Sequence, residues 1–123
     1  MLVILYYCAA PYNSLHGEKM YVTDDRIIAL LKPLIPKDRL DSAVVYLDTQ
    51  LRAEGERVSI GRKELPMSFA GYFVFVDLMP IANWGHPAMA VFISKEGDNI
   101  LSVNVEFPPF FGNPPETFRK LLL

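Results

Sequence analysis

The stretch Tyr72-Phe73-Val74-Phe75-Val76-Asp77-Leu78, YFVFVDL, decides the fold of this 123-residue chain. Apart from Asp77 it is wholly apolar and rich in aromatic and β-branched residues, a pattern that predicts a β-strand covered on both faces. A buried carboxylate needs hydrogen-bond donors or a shifted pKa. The stretch therefore predicts a buried strand with one unusual polar position close to its exit.

A hairpin is predicted downstream of this strand. Its strands are Ala88–Ser94 and residues 100–107, and Gly97, Asp98 and Asn99 supply the residue types of a tight turn. The second strand alternates between an apolar and a polar set: Leu101, Val103, Val105 and Phe107 against Ser102, Asn104 and Glu106. We therefore expect the hairpin to have one buried face and one face in water.

Upstream of the buried strand, the sequence predicts a helix that begins at Thr23. Thr23 is a good N-cap, and Asp24 and Asp25 place negative charge on the first turn, where the helix dipole favours it. Pro33 and Pro36 should end the helix between residues 32 and 35. The expected buried stripe consists of Ile27, Ile28, Leu30, Leu31 and Leu34.

Residues 38–54 fit two structures. Apolar residues recur at helical spacing and Gly55 is placed as a C-cap, which favours a second helix. Residues 43–47 are also good strand material, and residues 54–56 could turn the chain into a short edge strand at residues 57–60. The length and the cap make the helix the preferred prediction.

The expected fold class is α+β in a single domain covering residues 1–123. An apolar N-terminal strand at residues 2–8 and one or two helices precede an antiparallel sheet of about four strands packed against the helices. The hairpin at residues 91–97 and 100–103 resembles that of PepSY domains in shape, and this resemblance implies no residue role. Hydrophobic residues make up 51% of the chain, enough for one dense core.

Composition restricts the classes of partner. The net charge is −2, and the Lys and Arg residues are scattered rather than clustered, so we expect no nucleic-acid partner. No apolar run reaches the roughly 18 residues of a membrane-spanning helix, so no membrane association is expected. Cys8 is the single cysteine and cannot form an internal disulfide. A cytoplasmic location and no bound cofactor or metal are therefore the expectation.

The loop Pro80-Ile81-Ala82-Asn83-Trp84-Gly85-His86-Pro87, PIANWGHP, is the first candidate binding site. Asn83, Trp84 and His86 offer an amide, an indole N–H and an imidazole between two prolines that stiffen the backbone. The simpler interpretation is a structural corner. Asp77 stands close in sequence and could orient His86 as an acid or base. The preferred interpretation has Asp77 accept backbone N–H groups of its own loop.

The second candidate binding site is an aromatic segment among four prolines that carries Phe107, Phe110 and Phe111. An exposed apolar patch of this kind marks a protein interface, although the segment could equally wrap around the domain. Since no complete catalytic set is present, we predict a small non-enzymatic binding or inhibitory domain of the accessory or immunity type. The alternatives are a small enzyme that uses His86 with Asp77, and a homodimeric structural module.

Overall fold

The computed structural model describes residues 20–60, 63–82, 85–106 and 116–123. The strand predicted at residues 2–8 lies outside these residues.

The predicted α-helix, α1, spans Asp24–Leu31. The Thr23 hydroxyl accepts a hydrogen bond from the backbone N–H of Arg26 at 3.2 Å, which satisfies one of the free donors of the first turn. A 3₁₀ turn at Lys32–Leu34 ends the helix where Pro33 interrupts it. No helix in the described part of the chain is long and apolar enough to cross a membrane.

The described residues form seven strands in two antiparallel sheets. The strands are β1 Val44–Asp48, β2 Arg57–Ile60, β3 Lys63–Pro66, β4 Gly71–Asp77, β5 Ala88–Ser94, β6 Ile100–Val105 and β7 Phe118–Leu121. The main sheet has the order β6-β5-β4-β1-β7, and β2 pairs with β3 in a small separate sheet. Every neighbouring pair is antiparallel. The described fold is therefore mixed α and β, with one strand more in the main sheet than expected.

The main sheet is covered on both faces. One face packs against α1 through a core that includes Ile27, Leu31, Val45, Leu47, Tyr72, Val74, Val76, Met89, Val91 and Ile93. The opposite face packs against the small sheet and includes Val58, Ile60, Met67, Phe73, Phe75, Ala88, Ala90, Phe92 and Val105. As a result all seven residues of β4 and all seven of β5 are buried.

The preferred prediction of a helix over residues 38–54 was wrong. The segment holds a 3₁₀ turn at Lys37–Arg39 and then β1, which lies between β4 and β7. Val45 and Leu47 point to the helix-side core and Tyr46 to the other face, so the period of two prevails. Gly55, with a φ of 85°, forms a turn before the small sheet and caps no helix.

The expectation of one wet hairpin face was also wrong for β5, because Met89, Val91 and Ile93, on the face that carries Ser102 and Asn104 in β6, are buried in the helix-side core. On β6 the apolar row is buried only in part: Val105 is buried, Val103 is half-buried and Leu101 is 40% exposed. The strand β7 was not predicted from the sequence.

A buried ion pair joins the end of β1 to the start of β4. Asp48 is fully buried, and its Oδ2 accepts hydrogen bonds from Arg52 Nη2 at 2.6 Å and Nε at 3.0 Å. Arg52 Nη1 also donates to Glu56 at 2.8 Å, and this bond lowers the pKa of the Glu56 carboxyl. The backbone of Arg52 bridges to Gly71, so the network holds the chain as it leaves the main sheet for the small one.

We predict that Gly71→Ala is severely destabilising, because a Cβ at this position would overlap the carbonyl oxygen of Ile93 on β5. The free energy of unfolding in urea should fall by at least about 3 kcal/mol. Gly55→Ala is the matched control, since its Cβ would meet no atom and costs only the strain of a positive φ, about 1–2 kcal/mol. Equal losses in the two variants would show that the approach of β4 to β5 is looser than described.

Candidate functional site

Asp77 and His86 meet at the exit of β4. Asp77 is the last residue of that strand, and its Oδ1 lies 2.8 Å from His86 Nε2. The same oxygen accepts the backbone N–H of Met79 at 3.0 Å. Both interpretations of Asp77 therefore describe real contacts: it bonds its own loop and it bonds the imidazole. Both residues are buried, with His86 6% and Asp77 8% exposed.

The sheet register explains why these two residues converge. Asp77 pairs with Ala88 across the β4–β5 ladder, so His86, two residues before Ala88, emerges at the same end of the sheet. A carboxylate oxygen only accepts hydrogen bonds, so this contact assigns the imidazole proton to Nε2. The bond then fixes both the tautomer and the orientation of the His86 ring.

Backbone hydrogen bonds hold both ends of the loop between β4 and β5. At its start, the N–H of Ala82 donates to the carbonyl of Met79 at 3.0 Å. At its end, the N–H of His86 donates to the carbonyl of Glu106 at 2.7 Å, just beyond β6. Together with the Asp77 contacts, these bonds attach the described ends of the loop to the end of β4 and to the residue that follows β6.

Tyr46 is a member of this site that sequence reasoning missed. It lies half-buried on β1, opposite Phe75 in the ladder to β4. Burial raises the pKa of the Tyr46 phenol, and the negative charge of Asp77 raises it further. Residues 38–54 were expected to be helical, and only their strand conformation places Tyr46 on the same sheet face as Asp77.

A cleft of about 510 Å³ opens beside the pair. Its lining consists of Leu78, Gly85, His86, Pro87, Ala88, Asn104, Val105 and Glu106. The His86 side chain is only 3% exposed, so it contributes little surface to the cleft. The exposed side chains of Asn104 and Glu106 supply an amide and a carboxylate at the rim. The cleft thus combines apolar walls with a negatively charged edge.

Ile81 is the most exposed large apolar residue of the described chain, at 97%. It lies in the loop that follows β4, directly after Pro80. A solitary exposed apolar residue is ordinary on a protein surface. Here, however, the residue sits on a loop whose two ends are hydrogen-bonded to the sheet.

Of the seven predicted site residues, the structure brings together Asp77 and His86. The other five, Asn83, Trp84, Phe107, Phe110 and Phe111, lie outside the described residues. Within the described ranges, no three His, Cys, Asp or Glu side chains are grouped so that they could hold a metal ion. Comparisons with protein-family models, curated proteins and solved structures give no match for this chain.

We predict that His86→Ala lowers the free energy of unfolding by about 2–3 kcal/mol, because it leaves a buried carboxylate without its imidazole partner. Asp77→Asn keeps the shape but removes the charge, and should cost about 1–2 kcal/mol. Asp41→Asn, at an exposed position, is the matched control and should change stability by less than about 0.5 kcal/mol. Urea unfolding measures all three, and an unchanged His86→Ala midpoint would contradict the buried pair.

Proposed function

We propose that this protein is a small non-enzymatic binding domain, of the accessory or inhibitory type, that docks a protein partner through the loop after β4. We call the docking region the loop surface and define it as Ile81, Gly85, Pro87, Asn104 and Glu106. The observation that carries the proposal is the 97% exposure of Ile81 on a loop that is hydrogen-bonded at both ends.

The hydrogen bonds at the described ends of the loop, at Met79 and His86, support binding on energetic grounds. Ordering a mobile loop on association costs free energy, and a loop that is already held avoids part of that cost. Asp77 and His86 supply this restraint from inside the domain, where a partner would not compete for their hydrogen bond. Burying one isoleucine side chain against a partner would contribute about 2 kcal/mol. Ile81 therefore has the properties of an apolar anchor.

The rim of the cleft suggests what the partner presents. Glu106 and Asn104 are exposed there, beside the apolar Pro87 and Val105. A partner that fits would offer an apolar pocket for Ile81 and an Arg or Lys side chain for the Glu106 carboxylate. A pairing of this kind fixes the orientation of a complex as well as adding affinity.

A small enzyme that uses His86 with Asp77 is the second candidate, and their 2.8 Å contact is the observation that favours it. A general base has to lie within hydrogen-bond reach of the proton that it removes. The His86 side chain is only 3% exposed, and its Nε2 is already engaged by Asp77, so the described geometry favours the binding domain. Turnover of ester or amide probes that is lost in His86→Gln would reverse this preference.

We predict that Ile81→Asp abolishes partner binding without affecting the fold. A polypeptide captured from a lysate of the source organism would be purified, and its affinity for each variant measured by calorimetry. The dissociation constant should rise at least about 30-fold, the equivalent of about 2 kcal/mol, while the unfolding free energy stays within about 0.5 kcal/mol.

Leu51→Asp is the matched control for this substitution. Leu51 is 39% exposed and lies next to Arg52, which bridges to Gly71 at the opposite end of β4 from Asp77. It should therefore bind as the unmodified protein does. Undiminished binding by Ile81→Asp, or an equal loss in Leu51→Asp, would rule out the loop surface as the docking site.

A further inference from the structure

The two edges of the main sheet differ in charge. The edge strand β7 carries Arg119 and Lys120 among its four residues, and charged side chains commonly protect sheet edges from pairing with other chains. The other edge, β6, is six residues long and has no charged residue and no proline. Among the described residues, no strand pairs with the outer side of β6. The β6 strand itself therefore carries none of the charged or proline residues that usually protect a sheet edge.

The backbone of β6 has a row of hydrogen-bonding groups that point away from β5. Ser94 N–H donates to Asn99 at 2.9 Å, which makes these two residues a hydrogen-bonded pair across the β5–β6 turn. Such pairs alternate along an antiparallel ladder. The backbone groups of Leu101, Val103 and Val105 therefore face β5, and those of Ile100, Ser102 and Asn104 face outward.

The side chains of β6 are compatible with pairing to a second copy of the same strand. Leu101 and Val103 lie opposite Phe92 and Ala90, on the face of the small sheet, and their burial is incomplete. Ser102 lies on the other face and is exposed. When two such strands pair in antiparallel orientation, apolar side chains meet on one face and polar side chains on the other, and no charge within β6 opposes the contact.

We propose that β6 is a self-association surface through which two copies of this chain join their main sheets into one continuous ten-stranded sheet. The contact is isologous, so each copy contributes the same strand about a two-fold axis. The proposal goes beyond the loop surface, with which it shares Asn104 at the end of β6, because it requires neither Ile81 nor an external partner.

Charge selects the register of this contact. If the two-fold axis passed through Ser102, Asp98 in the turn before β6 would come close to Glu106, which follows β6 in the other copy, and neighbouring like charges are destabilising. With the axis at Val103, Ser102 faces Asn104 and Leu101 faces Val105. We therefore assign the axis to Val103. A contact made by edge strands alone is small, and the dimer should dissociate on dilution.

Sedimentation equilibrium over a wide range of protein concentration tests the proposal. The unmodified chain should shift from the monomer mass to the dimer mass as concentration rises. Ser102→Pro removes an outward N–H and leaves the ladder to β5 intact, so it should weaken the dimer at least tenfold. Ser102→Ala keeps that N–H and should dimerise normally. A monomer mass at every concentration would overturn the proposal.

Disulfide trapping tests the register independently, in a chain that also carries Cys8→Ser. With the axis at Val103, the two copies of this residue form a non-hydrogen-bonded pair with Cα atoms about 4.5 Å apart, within reach of a disulfide. Val103→Cys should therefore crosslink rapidly on mild oxidation, and Leu101→Cys should not. Equal crosslinking of both variants would indicate random collision and contradict the assigned contact.

Circular dichroism checks that each β6 variant folds. Hydrogen exchange at Ser102 separates the remaining outcomes. A slowly exchanging Ser102 amide in a strictly monomeric protein would mean that another part of the same chain covers the edge, which also overturns the proposal. Ile81→Asp should leave the monomer–dimer equilibrium unchanged, so failure of the loop surface and failure of the β6 contact are distinguishable.

Discussion

The burial of β4 and β5 on both faces is the constraint on which the rest of this structure depends. The helix covers one face of these strands and the small sheet covers the other, so neither strand has a side that tolerates unpaired polar groups. Polar side chains therefore lie at the ends of these strands. Asp77 lies at one such end, and the loop that carries His86 begins there.

Two buried carboxylates, Asp48 and Asp77, lie on the same face of the main sheet, and their hydrogen-bond partners give them different structural roles. Asp48 pairs with Arg52, which also binds Glu56, and this network guides the chain from β1 towards the small sheet. Asp77 instead pairs with an imidazole from the far end of its own loop and with a nearby backbone N–H. The first arrangement is architectural. The second holds the two described ends of the loop after β4, at Met79 and at His86.

Parts of this fold could be predicted from the sequence because their hydrophobic and capping patterns fit only one kind of secondary structure. The strands β4 and β5 are continuous apolar runs, and α1 carries a cap, acidic first-turn residues and terminating prolines. The apolar residues of the segment 38–54 fit both the helical and the strand periodicity. Only the packing of β1 between β4 and β7 determines that the segment forms a strand. The second layer was not foreseen either, because short strands such as β2 and β3 acquire their role from the sheet that they cover.

The candidate site was foreseen only in part, for a related reason. The proximity of Asp77 and His86 follows from two residues at adjacent ends of two predicted strands. Their contact at 2.8 Å depends on the register of the β4–β5 ladder. This register could not be predicted, because the composition of an apolar strand does not specify how it pairs with its neighbour. The position of Tyr46 near Asp77 depends on β1, and the residues of β1 were predicted to form a helix. The exposure of Ile81 depends on how the loop is held.

Nitrogen NMR of the His86 imidazole measures whether the Asp77–His86 hydrogen bond holds the described ends of the loop after β4. We expect a single tautomer with the proton on Nε2 and slow exchange of that proton with water. In Asp77→Ala, which removes the acceptor, the backbone amides of Met79 and Ala82 should exchange faster with water. A His86 ring that averages between tautomers, with a rapidly exchanging proton, would contradict this hydrogen bond.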